Sequence, residues 1–159
     1  MNVWKAIALL GLAAFAGPTA ASSHDRESGT AALITQDSPY SVPETVDNLV
    51  LALEDAGLRI FARIDHALGA ASVDLALPPT QLLIFGNPQI GTPLMQAERT
   101  IGLDLPLRAL VWQDEDGQVH ITYTDPAALK ERYGVTGQDA IFERMTGALA
   151  NFAAAATAE

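Results

Sequence analysis

The chain has 159 residues, no cysteine, and 19 Asp and Glu against 9 Lys and Arg. The missing cysteine excludes a disulfide framework, a thiolate metal site and a cysteine nucleophile, and the net charge of −10 opposes nucleic acid and anionic membrane as partners. What remains is a length that suits one domain with its own core, and an acidic surface suited to a cationic or neutral ligand.

Residues 1–21 have the three parts of a secretory signal. Lys5 supplies the positive start, Ala6–Ala16 the apolar run, and Gly17-Pro18 followed by Thr19-Ala20-Ala21 the break and small cleavage residues. The run is too short to remain as a membrane anchor, so no membrane span is expected after the signal is removed. A periplasmic or secreted protein follows. Residues 22–30 read as a disordered polar tail. Cleavage after Ala21 would also present Ser22-Ser23-His24, whose amine, amides and imidazole can surround Cu(II) in a square plane.

Residues 31–159 read as a single domain. Ala31–Gln36 is a short strand. Ser41-Val42-Pro43-Glu44 is a capping box, and Val46, Leu49, Val50 and Leu53 continue it as a helix that Gly57 stops. Leu58–Asp65 alternates as a strand, with Leu58, Ile60, Ala62 and Ile64 on one side and Arg59, Phe61, Arg63 and Asp65 on the other. Ala67–Leu75 allows one or two helical turns, and Leu82–Phe85 is apolar enough for a central strand.

The stretch Gln81–Trp112 organises the chain. Gly86-Asn87-Pro88 and Gly91-Thr92-Pro93 bend it between two apolar runs and fix a backbone path. Thr92 and Pro93 predict a helix start, and Gly102 its stop. Leu105–Gln113 and Gln118–Thr124 form a hairpin through Asp114–Gly117. Asp125-Pro126 opens a short helix ending at Gly134. Thr136 with Asp139 caps a last helix whose Ala-rich end, Ala153–Ala156, is expected to fray. Strand, helix, four strands, helix predicts an α+β domain: an antiparallel sheet covered by helices on one face. Phe61, Trp112 and Tyr123 are expected on the other face, where a homodimer would cover them.

Thr45, Ile64-Asp65-His66-Ala67, Ile84-Phe85-Gly86-Asn87-Pro88, Gly91-Thr92-Pro93-Leu94-Met95, Leu105-Pro106-Leu107-Arg108 and the Trp112…Asp116-Gly117 hairpin together resemble the family called domain of unknown function 302. The resemblance runs from Ser38 to Phe152. It implies a TBP-like fold of β-α-β(4)-α order and homodimers. It does not carry DNA binding with it, because fold alone does not give function and this surface is acidic.

The candidate ligand-binding residues are Asp65, His66, Phe85, Gly86, Asn87, Pro88, Thr92 and Arg108. Asn87 can meet a ligand or bond its own backbone. Arg108 lies within an apolar strand and needs an anion, with Asp65 or Asp104 expected ahead of a ligand. The candidate metal ligands are His24, His66 and His120, which share no ligand spacing. No catalytic motif, phosphate loop or dinucleotide fingerprint is present, and no cofactor is expected. Three functional readings follow: an exported, non-catalytic module that binds a ligand or partner; a periplasmic hydrolase using Asp65/His66 with Arg108 holding an anion; and a copper- or zinc-handling protein.

Overall fold

The computed structural model of the protein describes residues 32–159. The expected signal peptide and polar tail, with His24, lie outside them. The described chain runs β1 (Leu33–Ser38), α1 (Val42–Asp55), β2 (Arg59–Asp65), α2 (His66–Ala71), β3 (Thr80–Gly86), α3 (Pro88–Ala97), a 3-10 turn at Arg99–Leu103, β4 (Leu107–Gln113), β5 (Val119–Thr124), α4 (Pro126–Tyr133) and α5 (Asp139–Thr157). The strands form one antiparallel sheet in the order β1-β5-β4-β3-β2. This is the expected α+β arrangement.

Local chemistry sets most element ends. The Ser41 hydroxyl accepts from the Glu44 amide while the Glu44 carboxylate accepts from the Ser41 amide, closing the capping box of α1. Asp125 caps α4 through the Ala127 amide, and Gly134 ends it at φ +60°, a conformation that favours glycine.

One sheet face is apolar and covered. Val46, Leu49 and Leu53 of α1 and Leu149, Ala153 and Ala156 of α5 are buried on Leu83, Phe85, Ala109, Val111 and Ile121. A buried hydroxyl pair, Ser38 Oγ to Thr45 Oγ1 at 2.7 Å, ties β1 to α1. A second apolar cluster lies at one end. There Leu94, Ile101, Leu129, Val135, Phe142 and Met145 join α3, the 3-10 turn, α4 and the start of α5. The 19 residues of α5, about 28 Å of helix, therefore serve both clusters, the second half on the sheet and the first half on α3 and α4.

Five expectations are corrected. The third helix begins at Asn87-Pro88 rather than at Thr92-Pro93: Asn87 Oδ1 accepts from the Gln89 amide at 2.8 Å, and Pro93 stands inside the helix. The 3-10 turn contains Gly102, so the helix ends before it. The last helix starts from Gln138 with no side-chain cap, and its Ala-rich end does not fray. Ala153 and Ala156 are buried, and Asn48, Tyr40 and Gln36 bond the last turn and its exit. Finally, Tyr123 belongs to the covered face, in register with Ala109 and Ile34, and is buried there.

A bulge in β2 rearranges the other side. The register slips between Ile60 and Ala62, leaving Phe61 outside the pairing. Arg63 then falls opposite buried Leu83 and reaches Asp47 of α1 at 2.5 Å, whereas Ile64 falls opposite Leu82 on the uncovered face and is exposed.

Candidate functional site

β3 ends at Gly86 and α3 begins at Pro88, with Asn87 as its cap. α5 keeps to the sheet, and a cleft of about 660 Å³ opens between α3 and α5 where the two apolar clusters meet. Its floor is Phe85, Gly86 and Leu107 at the ends of β3 and β4, and its walls are α3 and α5. A volume of this size is typical of small-molecule clefts, about 300–1,000 Å³. A Cβ on Gly86 at the floor would meet the Pro106 Cβ at 3.4 Å and the Phe61 ring at 4.0 Å, ordinary contact distances, so both side chains pack directly over this strand end.

The lining is mainly apolar, with Asn87, Gln89, Thr92 and Arg144 as its polar members. Asn87 is committed to the α3 cap. No described Asp or Glu lines the cleft, although the chain carries 19 of them.

Phe85, Gly86, Asn87, Pro88 and Thr92 all line this cleft. Asp65, His66 and Arg108 do not. Asp65 pairs with Gln81 while Arg59 pairs with Gly86, so Asp65 and His66 stand at the far end of β2, about 20 Å away by strand rise. Asp65 caps α2 through the Leu68 amide and accepts from Gln81, and His66 is exposed. Arg108 lies beside Ile84 on the uncovered face and pairs with Asp104, the internal partner expected of it. Asp65, opposite Gln81, belongs to the covered face, so Asp65 and Arg108 stand on opposite sides of the sheet and do not face one anion.

The main lining residues that sequence reasoning missed are Phe61, Ile90, Met95, Leu105, Arg144 and Phe152. A signal existed for part of this wall. Met145, Leu149 and Phe152 recur at helical spacing as one apolar face, and Arg144 and Ala148 border it four residues apart.

His120 is held at both ring nitrogens, by Asp37 at 2.9 Å and Asp114 at 3.0 Å, with the Trp112 ring beside it at 4.7 Å and tilted by 36°. The two carboxylates take opposite edges of the ring, so they do not converge on one point. Among the described residues no group of three or more His, Cys, Asp or Glu is arranged to hold a metal ion. His66 and His120 are on separate elements. The hydrogen bond to Asp114 raises the His120 pKa above its ordinary 6.5, with Asp37 adding to it and burial opposing both. A raised folded pKa stabilises the fold fully below the unfolded value and ceases to do so as pH rises through the folded one. Stability should therefore fall as pH is raised above about 6.5, and His120→Gln should flatten that slope. Urea midpoints across the pH range check this.

The family model described as Domain of unknown function DUF302 matches residues 34–152. The chain belongs to this family. The DUF302 domain superposes on the crystal structure of an uncharacterized conserved DUF302 protein from Bacillus stearothermophilus with a TM-score of 0.71 at 20% identity, covering 78% of this chain and 97% of that one. At that identity the likeness establishes the fold alone. It is also 49% identical over 117 residues to a Brucella suis protein named fluoride-specific ion channel FluC 1, covering 72% of this chain and 46% of that protein. A Brucella melitensis protein named FluC 2 matches at the same identity over 43% of its length. The DUF302 chain thus spans less than half the length of these curated relatives. Among the described residues no helix is long and apolar enough to cross a membrane.

Proposed function

We propose that this protein is an exported, homodimeric binding module that takes a small apolar ligand in the cleft between α3 and α5, without catalysis. The observation that carries the reading is a cleft of about 660 Å³ with a largely apolar lining and a few polar side chains at its edge, the usual composition of a small-molecule site. Export rests on the leader read at residues 1–21. Phe85, Gly86, Asn87, Pro88 and Thr92 are the sequence candidates that belong to this site. Asp65, His66 and Arg108 serve α2 and the Asp104 pair instead.

The neutral fluorophore N-phenyl-1-naphthylamine tests the site. Its emission should rise on mixing with the protein. Ala148 lines the cleft from α5, so Ala148→Trp should abolish that rise while leaving the far-ultraviolet circular dichroism unchanged. An unaltered rise in the variant would remove the cleft from consideration.

The dimer has its own support. Ile64, Leu68, Val73, Leu75 and Leu77 follow one another along the end of β2 and the α2 segment and are all exposed. A run of this kind marks a covered surface in the working protein, and a second copy of the chain is the proposed cover. Leu75→Asp should turn a sedimenting dimer into a folded monomer. A wild-type monomer at micromolar concentration would contradict the proposal.

A second reading is favoured by the 49% identity to the FluC-named Brucella proteins: the domain works beside a membrane fluoride channel. Growth of a deletion strain in fluoride tests it. Fluoride sensitivity supports a role with the channel, and unchanged growth removes it.

A further inference from the structure

We propose that the cleft selects an aliphatic anion, with its chain among Phe61, Ile90, Met95 and Phe152 and its carboxylate at Arg144. This rests on the cleft being the ligand site. The reason lies in how the chain spends its cations. Among the described residues Arg63, Arg108, Lys130 and Arg132 are committed to carboxylates. Arg59, Arg99 and Arg144 have no ion pair within 4.0 Å among the described residues. Arg144 lines the cleft, and the Arg59 guanidinium lies 5.6 Å from the centre of the Phe61 ring, which also lines it.

An acidic chain would be expected to neutralise its few arginines, yet Arg144 lines a cleft with no described carboxylate in its lining, and Arg59 lies against a ring of that lining. The overall charge of −10 repels anions from a distance. That repulsion is screened beyond about 8 Å at physiological ionic strength, so the local arrangement decides. A guanidinium at the mouth of an apolar slot offers a carboxylate a charge-assisted bidentate contact while leaving the chain to the slot. An alcohol would gain only the second part, and an ammonium headgroup would be repelled.

Displacement of N-phenyl-1-naphthylamine by decanoate, decanol and decyltrimethylammonium, the ions below their micellar concentrations and decanol below its solubility limit, tests the proposal. Decanoate should displace the probe about tenfold more tightly than decanol, an increment typical of one hydrogen bond to a charged group. Octanoate should bind more weakly than decanoate, by about fourfold for each methylene removed. Arg144→Ala should abolish the preference for decanoate over decanol and leave decanol unchanged, and Arg144→Lys should restore part of it. Equal binding of decanoate and decanol overturns the anion proposal but keeps the apolar site, as does tighter binding of the cation. A preference for decanoate that survives Arg144→Ala also overturns it. Failure of all three to displace the probe overturns the anion proposal together with the cleft reading beneath it.

Discussion

Phe85→Ala is expected to lower stability by about 3–5 kcal/mol, the range for deleting a fully buried aromatic ring. Phe85 is 0% exposed. It packs with Leu83, Leu49 and Leu53 in the main core and its strand end floors the cleft, so truncation opens a cavity that α1, α5 and the sheet together cannot collapse. Native domains hold about 5–15 kcal/mol in total, so this substitution alone brings the fold near its limit. Phe85→Leu keeps much of the volume and should cost about 1 kcal/mol. Chemical denaturation of both variants checks the pair, and a loss below about 1 kcal/mol for the alanine variant would contradict the packing described.

Asp104→Ala is the second effect, about 1–2 kcal/mol, because one carboxylate serves three side chains. Asp104 accepts from Arg132 at 2.9 Å and from the Tyr133 hydroxyl at 2.7 Å, and also pairs with Arg108. Its side chain is only 14% exposed. Removal leaves the part-buried Tyr133 hydroxyl without its acceptor, whereas the two guanidinium groups, 46% and 53% exposed, turn to water and lose little. The effect also titrates. Burial alone would push the Asp104 pKa up, but the Tyr133 and Arg132 hydrogen bonds, with the charges of Arg108 and Arg132, outweigh it and hold it below the usual value. A lowered folded pKa stabilises above the unfolded value and loses that contribution as pH falls through the folded one. Wild-type stability should therefore drop below about pH 3.9, and the difference between wild type and Asp104→Ala should shrink there. A constant difference down through that range would show that the carboxylate is not what ties β4, α4 and the 3-10 turn together.

The sequence made legible what short-range chemistry decides. The capping box at Ser41, the Asp125-Pro126 to Gly134 helix and the Asp114–Gly117 hairpin each depend on side chains within a few residues, and each stands where the pattern put it. Between Gly86 and Gly102 the chain offers two Asx/Thr-Pro starts five residues apart, and either satisfies the rules for a helix N-terminus. Asn87 wins because the chain has already left the sheet there, and Pro93 is then carried inside α3. The bulge at Phe61 had no local signal. It sets Phe61 near Gly86 and Pro106, residues brought together only by the sheet. For the same reason half of the candidate site was legible and half was not. The residues around the glycine–proline bend do line one cleft, whereas Asp65 and Arg108 engage Gln81 and Asp104 elsewhere and His66 lies exposed beside Asp65. Arg144 has the spacing of a solvated helical arginine, and only α3 across from it turns its position into the edge of a cleft.

The most direct measurement is a proton–nitrogen correlation spectrum of the labelled domain titrated with decanol. Shifts confined to Gly86, Asn87, Ile90, Gly91 and Ala148 are expected, with Asp65–Ala71 unmoved. Shifts centred on Asp65–Ala71 or on the uncovered sheet face, or none at saturating ligand, would show that the space between α3 and α5 is not where this protein binds.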